Sequence, residues 1–480
     1  MSNSERAPLR SEGETEDLTH YAENSMNVVQ STIDRIGFGK YQVVLGLAIA
    51  IAVISDGAEV ALVSLITFIL EDVWDLSSTE LGLLGGAIFI GMSIGLLIIA
   101  TWGDDWGRLP ALKLTYIGAL ALRLACAVMP EFWSFVVFRG LTGIVQAMSM
   151  PPVVAIAVES CPSKYRGSFT MFVIFNYGVG QIYVIGLAAL LTPDLDGGMW
   201  RLLLVLAALP ILIGILVLFT KVVESPMSSA RRGLNQTTVE SLEYIAKTNG
   251  QDQMTEGEKT EVWALSPLHK EKGFYKFKVL FDSSHKFMTL LLMGQWVLTT
   301  FVYFGFFYLL PQLLDDIDSE LSTLLLLSLV IVCEMVVIAA TTYLIELPSL
   351  GRKGTMKICY GVLVLFCGVC LFVSENYLLV PSIMIISAFN HGSFCVLWPY
   401  TSEVFETEVR EMGVAFLNAA GRAVAFFAPL VFGYLLESAV WAPFLLILSI
   451  GICLLGIAFL LPIETRGISL DTGQKSNITK

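Results

Sequence analysis

The chain has 480 residues, of which 55% are apolar and only 15% charged, and its 29 Lys and Arg against 42 Asp and Glu leave a net charge of −13. Soluble domains carry about a quarter charged residues, so too few ionic side chains are present to face water around a protein of this mass, and lipid is the expected solvent for much of it. The composition excludes collagenous, disordered and small disulfide-rich classes, and the acidic balance excludes nucleic acid as a partner, which needs a basic footprint.

Residues 1–40 are polar and acidic and lack an apolar run before Tyr41. They read as a cytoplasmic tail, disordered until Arg35, with neither a secretory nor a transit signal. Apolar runs then predict twelve membrane spans near 42–70, 79–103, 110–129, 132–158, 168–192, 199–220, 287–311, 319–345, 354–373, 377–401, 411–436 and 440–462. Gly85-Gly86, Gly91 and Pro151-Pro152 lie inside these runs. Helix neighbours in a bundle satisfy the backbone that such residues free, and small residues let helices approach closely.

Basic residues fall on alternate connections: Arg108 between spans two and three, Lys164 and Arg166 between four and five, and many from Lys221 to Lys286 in the central one. The connections at 71–75, 193–198 and 312–320 contain no Lys or Arg. The even-numbered loops and both termini are therefore expected in the cytoplasm. The central connection predicts one helix, opened by a capping box at Thr237-Thr238-Val239-Glu240 and carrying Val239, Leu242 and Ile245 on one face as far as Asn249-Gly250. The resulting division is a tail at 1–40, a six-helix bundle at 41–220, a cytoplasmic linker at 221–285, a second bundle at 286–465 and a tail at 466–480.

The two bundles repeat each other at an offset of 244 residues: Gly107-Arg108 with Gly351-Arg352, Glu159 with Glu403, and Arg166 with Arg410. Glu224 and Glu464 close the two halves in corresponding places. Parallel repeats of six spans imply an axis along the membrane normal and a site between the halves near the midplane. The eight cysteines show no metal or disulfide spacing and read as packing residues. Four histidines give no support to a multi-histidine metal site.

Several motifs stand in order along the spans: Asp104-Asp105-Trp106-Gly107-Arg108, Arg139-Gly140-Leu141-Thr142-Gly143, Glu159 through Pro162 to Arg166-Gly167, and Pro462-Ile463-Glu464-Thr465-Arg466-Gly467. Together they resemble the major facilitator superfamily over about residues 36–470. Gly37 to Gln42, Asp56-Gly57-Ala58-Glu59 and Tyr400 to Val404 resemble most its synaptic-vesicle-2-related and organic ion transporter branch. The resemblance implies an all-α membrane protein of twelve transmembrane helices in two pseudo-symmetric six-helix bundles. It also implies a cytoplasmic gate formed by Asp104, Gly107, Arg108, Arg139, Glu159, Arg166, Glu224, Arg352, Glu403, Arg410 and Glu464. Several departures bear on that gate: Ala100 and Ala147 stand where glycines are expected, Pro348 replaces the loop acid, so Arg352 is expected to lack its usual partner, Glu406 replaces a proline, Met227 stands where an arginine would follow Glu224-Ser225-Pro226, and Pro462-Ile463-Glu464 has one residue inserted.

A charge inside a membrane costs several kcal/mol unless it faces a cavity or a partner. Asp56 and Glu59 share one face of span one, where two carboxylates repel and one readily holds a proton, so both are candidates for proton coupling. Arg422 lies deep in span eleven, seven residues before Pro429, and its fork of donors suits a carboxylate or sulfonate. An arginine so placed is characteristic of the anion carriers of the organic ion branch. An internal pairing of Arg422 with Asp56 or Glu59 is the competing reading. Gln295, Tyr303, Asn390 and Trp398 are further substrate-binding candidates, with Trp296, Phe304 and His391 beside them, because aromatics with a few polar groups suit an organic solute. Arg123 and Glu334 are in-span charges of undetermined direction, and Arg139 is expected to have a structural carboxylate partner.

No phosphate-binding glycine loop and no nucleophile–base pair stands out, so neither ATP hydrolysis nor enzymatic chemistry is expected, and no cofactor. The expectation is a monomeric secondary transporter in a plasma or endomembrane bilayer, working by alternating access on a small organic anion with proton symport. The alternatives are a sugar or organic cation transporter of the same fold and a transporter-like receptor or scaffold that no longer transports.

Overall fold

The computed structural model describes residues 27–195, 197–265, 277–282, 285–315, 321–373, 376–405 and 407–466. Among them no strand occurs, and eleven helices are long and apolar enough to cross a membrane. They are Lys40–Trp74, Ser78–Thr101, Arg108–Val128, Phe132–Glu159, Trp200–Thr220, Lys286–Asp315, Thr323–Leu344, Gly351–Phe372, Tyr377–Val404, Val409–Ser438 and Ala442–Leu460. The twelfth expected span, the fifth in order, is the helix Arg166–Leu191, whose stretch Phe175–Leu191 is also apolar. At about 1.5 Å per residue, the 26 residues of that helix suffice to cross a hydrocarbon core.

The span ends follow local chemistry. Ser77 and Glu80 form a reciprocal capping box at the start of span two, and Ser322 accepts from the Leu325 N–H at the start of span eight. Spans six and eleven are each interrupted once, before Pro210 and Pro429, because proline cannot donate to the preceding turn. Within the first half, span one packs on span five and span two on span four. The first contact leaves no room for a side chain at Gly57, where a Cβ would collide with the Tyr177 carbonyl. In the second half, span seven packs on eleven and span eight on ten. The halves meet where span two faces eleven, five faces eight and one faces seven.

Two expectations outside the spans change. Residues 27–36 are helical rather than disordered. Val29, Ile33 and Ile36 form a stripe at helical spacing and are fully buried with Leu242 and Ile245 of the linker, a pattern that the polar average of the tail conceals. The linker helix spans Asn235–Asn249, starting before the capping box read at Thr237. The Leu234 carbonyl accepts the N–H and hydroxyl of Thr238, and Asn235 Nδ2 donates to the Trp263 and Leu265 carbonyls, 3.1 and 2.9 Å away. Those carbonyls end a further helix, Glu256–Trp263, which carries its own Thr255–Glu258 capping box. The linker helices, residues 27–36 and the adjoining ends of spans one, three and four share one apolar core, separate from the core of the spans.

Candidate functional site

Each half begins its third helix in the same way. Gly107 and Gly351 have φ of +88° and +62°, the left-handed region that a side chain disfavours; Gly107 directly precedes the helix Arg108–Val128, and Gly351 is the first residue of the helix Gly351–Phe372. Glu224 then accepts from the N–H groups of Arg108 and Leu109 at 2.9 and 3.2 Å, and Glu464 from those of Arg352 and Lys353 at 2.8 and 2.9 Å. Each carboxylate so occupies a helix N-terminus, where orphan donors and the helix dipole favour negative charge. Burial lifts the Glu224 carboxyl above the usual glutamate range, against the pull of its backbone donors.

The arginines of the repeat make the matching bridge. Arg108 meets Glu159 at 3.4 Å and Arg352 meets Glu403 at 3.0 Å. The expected loss of a partner for Arg352 is corrected here: Glu346, two residues before Pro348, pairs with it at 3.1 Å. Where Met227 replaces an arginine, Arg231 one turn later reaches Glu159 at 3.3 Å, and the Ser225 hydroxyl donates to that same carboxylate at 2.5 Å. Arg410 donates through Nε to the Phe405 carbonyl at 3.4 Å. The side chains of Asp104 and Arg166 lie outside the described residues.

At the basic-loop end, among the described residues, Arg108 and Glu411 at 3.6 Å are the only ion pair joining the halves, and Glu411 is largely exposed. The opposite end is closed by more intimate contacts. The Ser64 hydroxyl donates to the Phe307 carbonyl at 3.0 Å, Gln312 reaches Glu71 at 3.5 Å, and Ser78 bonds Glu437. Gly86 lies so close to the Phe426 carbonyl that a Cβ there would overlap it. Nearer the middle, the Ser93 hydroxyl donates to the Ala419 carbonyl at 2.9 Å.

The interior of the first half holds a cluster of four charges. Glu59 is fully buried and is clamped by two guanidiniums, Arg123 at 2.9 Å and Arg139. Arg123 also donates to the Ser55 hydroxyl at 2.8 Å and to Gln146 Oε1 at 3.2 Å. Arg139 thus has the carboxylate partner expected of it, and Arg123 faces inward. Asp56, one turn before Glu59, makes no ion pair among the described residues. It lines a cavity of water-molecule size with Ser55, Tyr116, Arg123, Gln146 and Ser149.

Between the halves, Arg422 is partly exposed. Its guanidinium stands over the Phe304 ring at 4.7 Å and donates to Met92 Sδ at 2.9 Å. A thioether and a ring face are weak partners for a cation, and no ion pair to Arg422 occurs among the described residues. It interacts electrostatically with Asp56, Tyr177 and Tyr303. Tyr303 stacks on Phe394 at 5.6 Å and meets the His391 ring at a tilt, 4.7 Å between centroids. Tyr177, from the first half, meets the His391 ring edge-on at 5.8 Å.

The candidates read from sequence separate accordingly. Arg422 and Tyr303 lie at the interface between the halves, whereas Asp56 lines the small cavity inside the first half, within electrostatic reach of Arg422. Gln295 is fully buried and turned toward span twelve, where it donates to the Leu454 carbonyl at 3.0 Å. Trp398 packs edge-on against Trp296 at 5.1 Å, and Trp296 donates to Thr401 at 2.9 Å. Asn390 is buried with both amide atoms unpaired. Sequence reasoning passed over Tyr177 and Met92. Tyr177 stands where span five crosses span one at Gly57, and that glycine was the available signal.

The sequence profile of the Major Facilitator Superfamily matches residues 45–398. The bovine (Bos taurus) "Synaptic vesicle 2-related protein" is 28% identical over 471 residues, covering 92% of this chain and 82% of the relative. The "Niacin transporter NiaP" of Acinetobacter baylyi is 23% identical over 449 residues, covering 92% and 98%. Among solved structures, the inward-open conformation of the xylose transporter XylE from E. coli superposes with a TM-score of 0.71 at 18% identity, covering 90% of this chain and 98% of that one. The chain is a multi-pass membrane transporter and belongs to the Major Facilitator Superfamily.

Proposed function

We propose that this transporter is a proton-coupled symporter of a small organic anion, with its basic loops and termini in the cytoplasm and its outer end closed in the conformation described. Arg422 receives the anion and Asp56 carries the proton. The observation that supports this most is the division of labour between the two carboxylates of span one. Glu59 is held by two arginines, so protonating it would leave buried positive charge uncompensated. Asp56 has no ion pair and sits within electrostatic reach of Arg422.

Coupling follows from competition. An ionised Asp56 draws on the Arg422 charge across the interface. A proton on Asp56 removes that claim and leaves the guanidinium to an incoming carboxylate, so proton and anion bind together. Rocking of the halves then carries both across. The relative named a niacin transporter moves a carboxylate, in keeping with an anion at Arg422.

The test is uptake into proteoliposomes of labelled monocarboxylates, organic cations and hexoses, with and without an inward proton gradient. Carboxylate accumulation that follows the gradient is expected, with loss of uptake in Arg422→Gln. Uptake indifferent to Arg422→Gln, or accumulation of a cation or hexose instead, would remove the anion assignment.

A further inference from the structure

The second half contains an ionisable pair that this mechanism leaves unused. Glu334 on span eight and His391 on span ten are 1% and 5% exposed. Glu334 Oε2 lies 2.7 Å from His391 Nδ1, and Glu334 Oε1 accepts from the Ser387 hydroxyl at 2.5 Å. Tyr303 Oη stands 3.4 Å from the same imidazole nitrogen. The acid and the phenol hydroxyl thus converge on one imidazole nitrogen, and across the short contact between that nitrogen and the acid a proton can be shared.

The surroundings of the pair are otherwise weakly charged. Span seven presents Tyr303, span ten its own Cys395 with Cys359 of span nine beyond it, span eight its own Cys333, and span five Tyr177. Arg422 of span eleven interacts with Tyr303 and Tyr177, and among the described residues no Lys or Arg makes an ion pair with Glu334. Tyr177 belongs to the other half and is also within electrostatic reach of Asp56. Any movement of one half against the other therefore changes the contact between Tyr177 and the His391 ring.

We propose that Glu334 and His391 form a second proton-binding site, in the C-terminal half, so that the transporter carries one exchangeable proton site in each half. The proposal rests on the reading of Asp56 as the proton site of the first half. In the conformation described, Glu334 and His391 hold one proton between them, with Tyr177 closing over the imidazole. When the halves rock, Tyr177 withdraws, water reaches His391, and the proton leaves to that side.

The experiment needs no solute. Spin labels at Thr79→Cys and Ser438→Cys, both exposed on opposite halves at the closed end, report opening as a distance distribution in nanodiscs, in a Cys453→Ser background. Titration between about pH 4 and 10 is expected to shift the distribution in two steps. Asp56→Asn removes one step and leaves the other. Glu334→Gln and His391→Gln each remove the second, and the double variant does no more than either single one. Two steps persisting in both Glu334→Gln and His391→Gln, or a response abolished entirely by Asp56→Asn, would overturn the second site. Loss of the second step in Glu334→Gln with no change in Asp56→Asn would instead sink the Asp56 reading alone. A distribution indifferent to pH would overturn both.

Discussion

The two halves are nearly alike at their loop ends and unlike in their interiors. At the ends, Glu224 and Glu464 cap corresponding helices, and Arg108–Glu159 matches Arg352–Glu403. In the interiors, the first half surrounds Glu59 with two arginines, whereas the second joins Glu334 to a histidine. Position 303, which corresponds to Glu59 at the repeat offset, is a tyrosine. The difference teaches that the repeat preserves what turns the chain and latches helix ends. The interior, where buried charges must find partners among neighbouring helices, has diverged.

The largest effect expected from breaking this comparison is at Glu59. Glu59→Ala leaves Arg123 and Arg139 buried without a carboxylate, and removing one member of a buried ion pair costs about 3–5 kcal/mol. Thermal unfolding in detergent should show a large drop or loss of folded protein, whereas Glu334→Gln, which keeps a hydrogen-bonding group beside His391, should lose far less. A Glu59→Ala protein as stable as the wild type would show that the arginines find other partners. Next comes Asp56→Asn, expected to fold normally and still equilibrate labelled carboxylate while losing the response to a proton gradient. Retained gradient-driven accumulation would exclude Asp56 from coupling.

A smaller and symmetric effect is expected at the helix caps. Glu224→Gln and Glu464→Gln each weaken a charged cap at a helix N-terminus, for about 1 kcal/mol apiece. Unequal losses in chemical denaturation would show that the two ends are less alike than their geometry. The smallest effect lies outside the membrane, where Arg35 Nε and Nη2 bond both oxygens of Glu258 at 2.8 and 3.0 Å. Although burial opposes it, the Thr255 N–H and the Arg35 guanidinium hold the Glu258 carboxyl below the usual glutamate range. A depressed carboxylate contributes stability above its unfolded value and loses it as the pH falls through the folded one. Solvent screening limits the contribution to a few tenths of a kcal/mol. The protection of the amides over residues 27–36, taken relative to unstructured chain at the same pH, should therefore fall modestly as the pH drops below the usual glutamate range, and Glu258→Gln should abolish that change in protection.

Much of the architecture was legible because the membrane writes it directly into composition. Apolar runs located the helices to within a few residues, since backbone groups in lipid must be satisfied within a helix. The helix at 27–36 was hidden because three apolar residues on one face do not alter a polar average. The candidate site was legible only in part. Asp56, Glu59 and Arg422 were visible as charges where charge is costly, but their spacing on one helix could not separate Asp56 from Glu59. That separation depends on Arg123 and Arg139, which approach from spans three and four. Gln295 looked like a cavity residue for the same reason, because helical spacing does not say which neighbour a buried amide meets, and here it is the Leu454 carbonyl.

By itself, the sequence determined a twelve-span membrane protein in two related halves, the glycine turns that start the third helix of each, and the few ionisable residues inside the bilayer. Only the tertiary structure decided which charges neutralise each other, that Glu346 and Arg231 take over where the repeat has lost a residue, and that Tyr177, Met92 and Phe304 surround Arg422. The physical reason is range. Hydropathy and turn chemistry act within a few residues along the chain, whereas a buried charge is set by groups from four or five helices that share only a place in space.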